Sequence, residues 1–154
     1  MTLDTKSFDL FRTLPLPPAR LWNVLTDAKH RENWAAPDDE TVLETVKADL
    51  RVGGDELHRC GPADDPVFEV TTRWYDLTAP ERAVYTETLI FGGHAVCTSL
   101  VTYSLMPEGK GTALGVTVAV SSFSGPDTLA EVKQGWEGGI ANLERLCTKL
   151  TADA

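Results

Sequence analysis

The amino-acid sequence predicts an α+β fold in which a curved antiparallel sheet of about six to seven strands wraps on one long C-terminal helix. Two short helices are expected after the first strand. Three observations carry this. From about residue 40 to 122, segments rich in β-formers follow one another with only tight turns between them, the pattern of an antiparallel meander. Beyond Ser124 the period changes: Leu129, Val132, Trp136, Ile140, Leu143, Leu146 and Leu150 step by three or four, an apolar helical stripe. Between the N-terminal strand and the meander, Pro15, Pro17 and Pro18 introduce Leu21, Val24 and Leu25 at helical spacing.

Residues 7–14 alternate, with Phe8, Leu10, Arg12 and Leu14 on one face and Ser7, Asp9, Phe11 and Thr13 on the other. The prolines end that strand because they cannot donate to its ladder. Asp27 can cap a second short helix that runs to about Trp34, where Ala35-Ala36-Pro37 stops it. The meander reads as strands over 41–50, 56–60, 67–75, 84–91, 96–106 and 112–122. Gly53-Gly54, the Gly61–Pro66 run, the Leu77–Arg82 run, Gly92-Gly93 and the Pro107–Gly111 run separate them. Thr128 and Glu131 have capping-box spacing at the head of the last helix. That helix must cover the sheet, since it is the largest apolar face available.

The chain of 154 residues fits one ordinary domain, 1–154, large enough to bury a core without staples. Its 14 basic and 23 acidic residues give a net charge of −9, which repels phosphate backbones and anionic membrane surfaces. Neither a nucleic acid nor a membrane is therefore expected as a partner. Cys60, Cys97 and Cys147 are odd in number and far apart, which points to a reducing, cytoplasmic setting. The opening Met1–Lys6 segment shows no signal-peptide pattern, and no apolar run approaches 18 residues.

Several segments together are recognisable: Pro18–Asp27, Trp34-Ala35-Ala36-Pro37, Arg51-Val52-Gly53-Gly54, Leu77–Thr86, Gly135-Trp136 and Asn142–Leu146. From about residue 8 to 150 the chain resembles the helix-grip superfamily (SRPBCC) of START lipid-transfer domains, polyketide cyclases and the birch-pollen allergen. Within it, the chain is similar to the branch named after the activator of heat-shock protein 90 ATPase. The resemblance implies a cavity between sheet and helix, and it is compatible with binding, transfer or catalysis. In similar proteins bulky aliphatic or aromatic residues often follow the Gly-Gly pair at alternate positions. Here those positions are Glu56, His58 and Cys60.

These three residues share one face of a strand. Carboxylate, imidazole and thiol can bind zinc or relay a proton. Same-face neighbours sit roughly 7 Å apart along a strand, too far for three ideal ligands on one metal. No metal or cofactor is therefore expected, and the three can equally be singly hydrogen-bonded. Tyr85 and Glu87 share a face with Leu89 and Phe91, and Tyr103 shares one with Cys97, Val101 and Leu105. If these faces point inward, Tyr85, Glu87 and Tyr103 orient a ligand's polar end; otherwise the tyrosines are core residues with bonded hydroxyls. Trp74, Trp136 and Ile140 complete the residues expected at the cavity, with Trp22 and Trp34 as core or lid aromatics. His30 and His94 are expected at the surface. Gly135, Gly138 and Gly139 weaken the long helix by about 0.8–1 kcal/mol each. They leave cavity volume beside Trp136, allow close helix–sheet packing, or simply kink the helix.

No GxSxG, P-loop, GxGxxG or HExxH motif is present. Three functions remain. The first is binding of a small apolar or amphipathic molecule, with an enclosed cavity as its signature. The second is a co-chaperone module stimulating a heat-shock protein 90 ATPase, which calls for an exposed apolar patch and a filled interior. The third is a cyclase, dehydratase or hydrolase, which calls for an open mouth and a perturbed carboxylate or imidazole.

Overall fold

A computed structural model describes residues 4–36 and 38–152. Strand β1 (Thr5–Leu14) leads into α1 (Pro18–Thr26) and α2 (Ala28–Trp34). Six strands follow: β2 (Thr41–Lys47), β3 (Asp55–Pro62), β4 (Phe68–Thr78), β5 (Arg82–Phe91), β6 (His94–Glu108) and β7 (Gly111–Ser122). The chain closes with α3 (Asp127–Ala152). The seven strands form one antiparallel sheet in the order β1-β7-β6-β5-β4-β3-β2. The meander expected between 40 and 122 thus supplies six consecutive neighbours, and the N-terminal strand closes onto the last of them.

Alternation decides which face is buried. Phe8, Leu10 and Leu14 of β1 join Leu114, Val116, Val118 and Val120 of β7, and Val101, Tyr103 and Leu105 of β6, in the core. From the helical side come Leu129, Ile140, Leu143 and Cys147, with Val132, Trp136, Leu146 and Leu150 packed against them. The whole expected stripe of α3 therefore faces the sheet. Its 26 residues span about 39 Å at 1.5 Å per residue.

Several local expectations are corrected. Asp27 does stand before α2, but its side chain makes no capping bond. At the head of α3, Thr128 Oγ1 lies 2.6 Å from Ser124 Oγ, so its hydroxyl engages the preceding turn. Pro37, expected to stop α2, lies outside the described residues, as do Met1–Leu3 of the opening segment. The turn expected over 77–82 is shorter: β4 runs to Thr78, β5 starts at Arg82, and Glu81 N donates to Thr78 O at 2.8 Å. The Gly92-Gly93 hairpin forms with φ of 58° and 80°, the left-handed values that a two-residue turn of this twist requires. The β5–β6 register shifts between Leu89 and Ile90, and Phe91, at the end of β5, packs on Phe68 at 5.1 Å between ring centroids while staying 51% exposed.

Helix α2 is short, and it is held from three sides. Trp34 Nε1 donates to Val24 O of α1 at 2.8 Å. Asn142 Nδ2 of α3 donates to Ala36 O at 2.8 Å. Thr45 N of β2 donates to Glu32 Oε2 at 2.8 Å. A seven-residue helix is not stable alone, so these ties fix where its buried face points.

Candidate functional site

The inner face of the sheet is not uniformly apolar. Glu56 pairs with Thr72, Thr72 with Glu87, and Glu87 with Ser99, forming a continuous polar row across β3, β4, β5 and β6. On one side of it runs an aromatic and aliphatic row, Trp74, Tyr85, Val101 and Val118. On the other side lie His58, Val70, Leu89 and Cys97. Carboxylates at two places in such a row need a counter-charge, because a buried anion without a partner is strongly disfavoured.

Arg31 supplies it. Ala28, Arg31 and Trp34 recur every three residues along the buried side of α2, so the guanidinium points at the polar row. Arg31 is 3% exposed. Its Nη2 donates to Glu87 Oε2 at 3.3 Å, and its Nη1 lies 3.6 Å from Glu56 Oε1. The guanidinium also sits over the Tyr85 ring, 5.6 Å from its centroid. Burial opposes its charge, but Tyr85, Tyr103, Glu87 and Glu56 more than offset this and raise its pKa further. Glu56 is tied on its other oxygen by Asp49 N at 3.1 Å.

Between this cluster and α3 lies a cavity of about 260 Å³. A water molecule occupies about 30 Å³ of liquid, so the cavity is far larger than a water site, though at the small end of ligand pockets. Its walls are largely apolar, with Trp34, Leu43, Phe68, Val70, Leu89 and Val132 among them. Arg31, Glu87 and Ser99 bring polar groups to it, and exposed Glu131 of α3 marks where it meets solvent. Gly135 lines it too, and a methyl group there would meet nothing within 4 Å. At Gly139 a methyl would stand 3.5 Å from Trp34 O. One glycine thus leaves space, while the other lets α3 pass closely over the end of α2.

Of the residues expected at the cavity, Cys60, Tyr85, Glu87 and Trp136 line it. Glu56, His58, Trp74, Tyr103 and Ile140 are buried behind that lining. Tyr103 still touches it indirectly, through the 2.7 Å hydroxyl contact with Tyr85 and an edge-to-face contact with Trp136. Glu56, His58 and Cys60 do share the inward side of β3. Among the described residues no group of three His, Cys, Asp or Glu side chains is close enough to hold a metal ion. Arg31, Ser99 and Thr72 were not anticipated. The signal for Arg31 was present, since it sits three residues from Ala28 and from Trp34 on the side of α2 that must be buried.

The electrostatics follow from burial. Burial pushes the Glu87 carboxyl up against the pull of Arg31. Burial and the nearby Arg31 push His58 down to about 4, which keeps its imidazole neutral. Burial pushes up the Cys60 and Cys97 thiols, and it carries Tyr103 to about 12. None of these thiols is an activated nucleophile. Arg31 Nε and Nη1, Glu56 Oε1, both His58 ring nitrogens, Thr72 Oγ1 and Trp74 Nε1 are buried without a hydrogen-bond partner in the protein. Of the residues carrying these atoms, only Arg31 lines the cavity.

Solved structures of similar shape share this architecture. The Mll3558 protein from Rhizobium loti is 26% identical, with a TM-score of 0.80, covering 94% of this chain and 99% of its own. CV1439 from Chromobacterium violaceum is 22% identical, with a TM-score of 0.79 and coverage of 92% and 96%. CalU16 from Micromonospora echinospora is 23% identical, with a TM-score of 0.65 and coverage of 97% and 80%. No curated protein matches the chain. The sequence model described as activator of Hsp90 ATPase homolog 1-like protein matches residues 15–148, from α1 through most of α3, and the chain belongs to that family.

Proposed function

We propose that the chain binds a small amphipathic molecule in the cavity between the sheet and α3. The observation that carries this reading is the conjunction of a mostly apolar cavity of about 260 Å³ with the buried Arg31–Glu87 pair in its lining. Apolar walls with a few polar groups are the usual composition of a ligand site. Three free thiols fit an intracellular, reducing setting, and no helix among the described residues is long and apolar enough to cross a membrane.

Native mass spectrometry of freshly purified protein, followed by organic extraction, tests the reading. The expected result is a reproducible adduct whose extracted molecule restores thermal stability when added back. A clean mass, with no thermal shift across a panel of lipids and aromatic compounds, overturns it.

A co-chaperone role is the second reading, favoured by the family's own description and by exposed Phe11, Leu100 and Met106 on the outer face of β1 and β6. It ranks lower because the interior is not filled. Purified protein raising the ATPase rate of a heat-shock protein 90, with Phe11→Ser and Met106→Ser abolishing the effect, is its expected signature. An unchanged rate at saturating protein removes it.

A further inference from the structure

The cavity's polar end says which class of amphipathic molecule it takes, an inference that rests on the binding reading above. Arg31 is already set against two carboxylates, yet neither contact is close: 3.3 Å to Glu87 and 3.6 Å to Glu56. Carboxylate–guanidinium bonds are normally about 2.7–2.9 Å and often paired. Arg31 Nε and Nη1 have no hydrogen-bond partner. A guanidinium presents Nε–H and Nη2–H as a parallel fork, the geometry that a carboxylate fills with both oxygens; on Arg31 the Nε of that fork has no partner and its Nη2 carries only the 3.3 Å contact to Glu87. Glu56 is fixed from behind by Asp49 N. Glu87 has no such second tie, and its side chain keeps 25% of its surface accessible.

We infer that the ligand is a small apolar carboxylic acid, seated as its carboxylate on Arg31, and that one proton enters the site with it. The proton is required by charge. Arg31, Glu56 and Glu87 together carry one net negative charge when all are ionised. A third carboxylate added to a single buried guanidinium leaves two, which a cavity of low polarity does not support. If Glu87 takes a proton as the ligand arrives, the net charge of the cluster is unchanged. Glu87 then donates its new O–H to a ligand oxygen, and its place on Arg31 is taken by the ligand. No covalent bond changes, and the proton comes from solvent.

Glu87 is the group placed to do this. The groups around it are Arg31 from α2, Glu56, His58 and Cys60 from β3, Tyr85 from its own strand, Cys97 and Tyr103 from β6, and Glu131 from α3. Arg31 keeps its charge throughout, and Glu56 is held on Arg31 and Asp49. His58, already neutral down to about pH 4, and the thiols and phenols, all pushed upward, hold their state between pH 6 and 8. Burial has already moved Glu87 toward its protonated form before any ligand binds.

The experiment is isothermal titration of the full chain with octanoate, decanoate and 2-naphthoate, alongside 1-octanol, 1-decanol and 2-naphthol, in buffers of different ionisation enthalpy. The expected result is that at least one acid binds ten-fold or more tightly than its matching alcohol, with uptake of about one proton at pH 7. Its affinity then falls about ten-fold between pH 7 and pH 8, the slope of one linked proton. Glu87→Gln, which places a neutral hydrogen-bonding group there permanently, keeps acid binding and loses both the uptake and the slope. Arg31→Lys weakens acids but not alcohols. If alcohols bind as well as acids, or acids bind with no proton uptake, this inference is wrong while the binding reading stands. If no member of either series binds, the binding reading fails with it.

Discussion

Arg31 is the residue on which the stability of the site turns and, under the proposed function, its recognition of a ligand. Its charge is buried, and so is that of Glu56, which is 2% exposed. Removing one partner of such a pair leaves the other without compensation, at a cost of about 3–5 kcal/mol. Arg31→Met is therefore expected to be strongly destabilised in urea or thermal unfolding, and Arg31→Met/Glu56→Gln to recover part of the loss. A double variant no more stable than the single one argues against the pairing. His58 makes a separate prediction. Its folded pKa, about 4, lies below the ordinary imidazole value near 6.5. The unfolded chain thus takes up a proton first as the solution is acidified. The stability this site contributes is complete above pH 6.5 and declines as pH falls from there toward 4. Glu87, raised rather than lowered, works in the opposite sense at the acid end of that range. The comparison that isolates His58 is wild type against His58→Leu, whose stability is expected to fall less steeply between pH 6.5 and 5. Parallel curves argue that the imidazole stays solvated.

At the scale of elements, the strands and the long helix were legible because each repeats a period many times. Seven positions of α3 announce one face, and alternation along β1 and β7 announces another. Helix α2 has only seven residues. Its two turns gave Asp27 as a start and Trp34 as an end, but not that Arg31 points inward, since arginine ordinarily reads as surface. The polar row was hidden for a different reason. Glu56 and Glu87 were both singled out, yet their alignment through Thr72 depends on cross-strand register, which turn lengths and bulges decide and a single sequence does not display. Glycines in α3 were legible as anomalies, and the structure gives Gly135 and Gly139 different causes. Gly135 faces open space in the cavity wall, so Gly135→Ala is expected to stabilise the protein by about 0.5–1 kcal/mol through helix propensity alone. A chemical denaturation midpoint that moves the other way shows that the glycine's backbone, rather than the space beside it, is what the fold uses.

The whole molecule keeps that space at a cost. A sheet that closed fully onto α3 would bury more surface, yet the wall is set back at Gly135 and the interior beside Trp136 stays open. Filling it is therefore expected to trade binding for stability. Gly135→Leu gains helix propensity and buries an isobutyl group, together worth about 2 kcal/mol. For a chain of 154 residues this corresponds to a melting temperature higher by roughly 4–8 °C. In the wild type, a ligand at one hundred times its Kd contributes about 2.7 kcal/mol, or roughly 5–10 °C. The two gains are expected to exclude each other, because both occupy the same volume: Gly135→Leu melts higher without ligand and shows no further rise when a wild-type ligand is added. Thermal scans of both proteins with and without that ligand decide the matter. If the variant still rises by the full amount, the ligand sits elsewhere on the molecule, and the space beside Gly135 serves the motion of α3 against the sheet rather than its occupant.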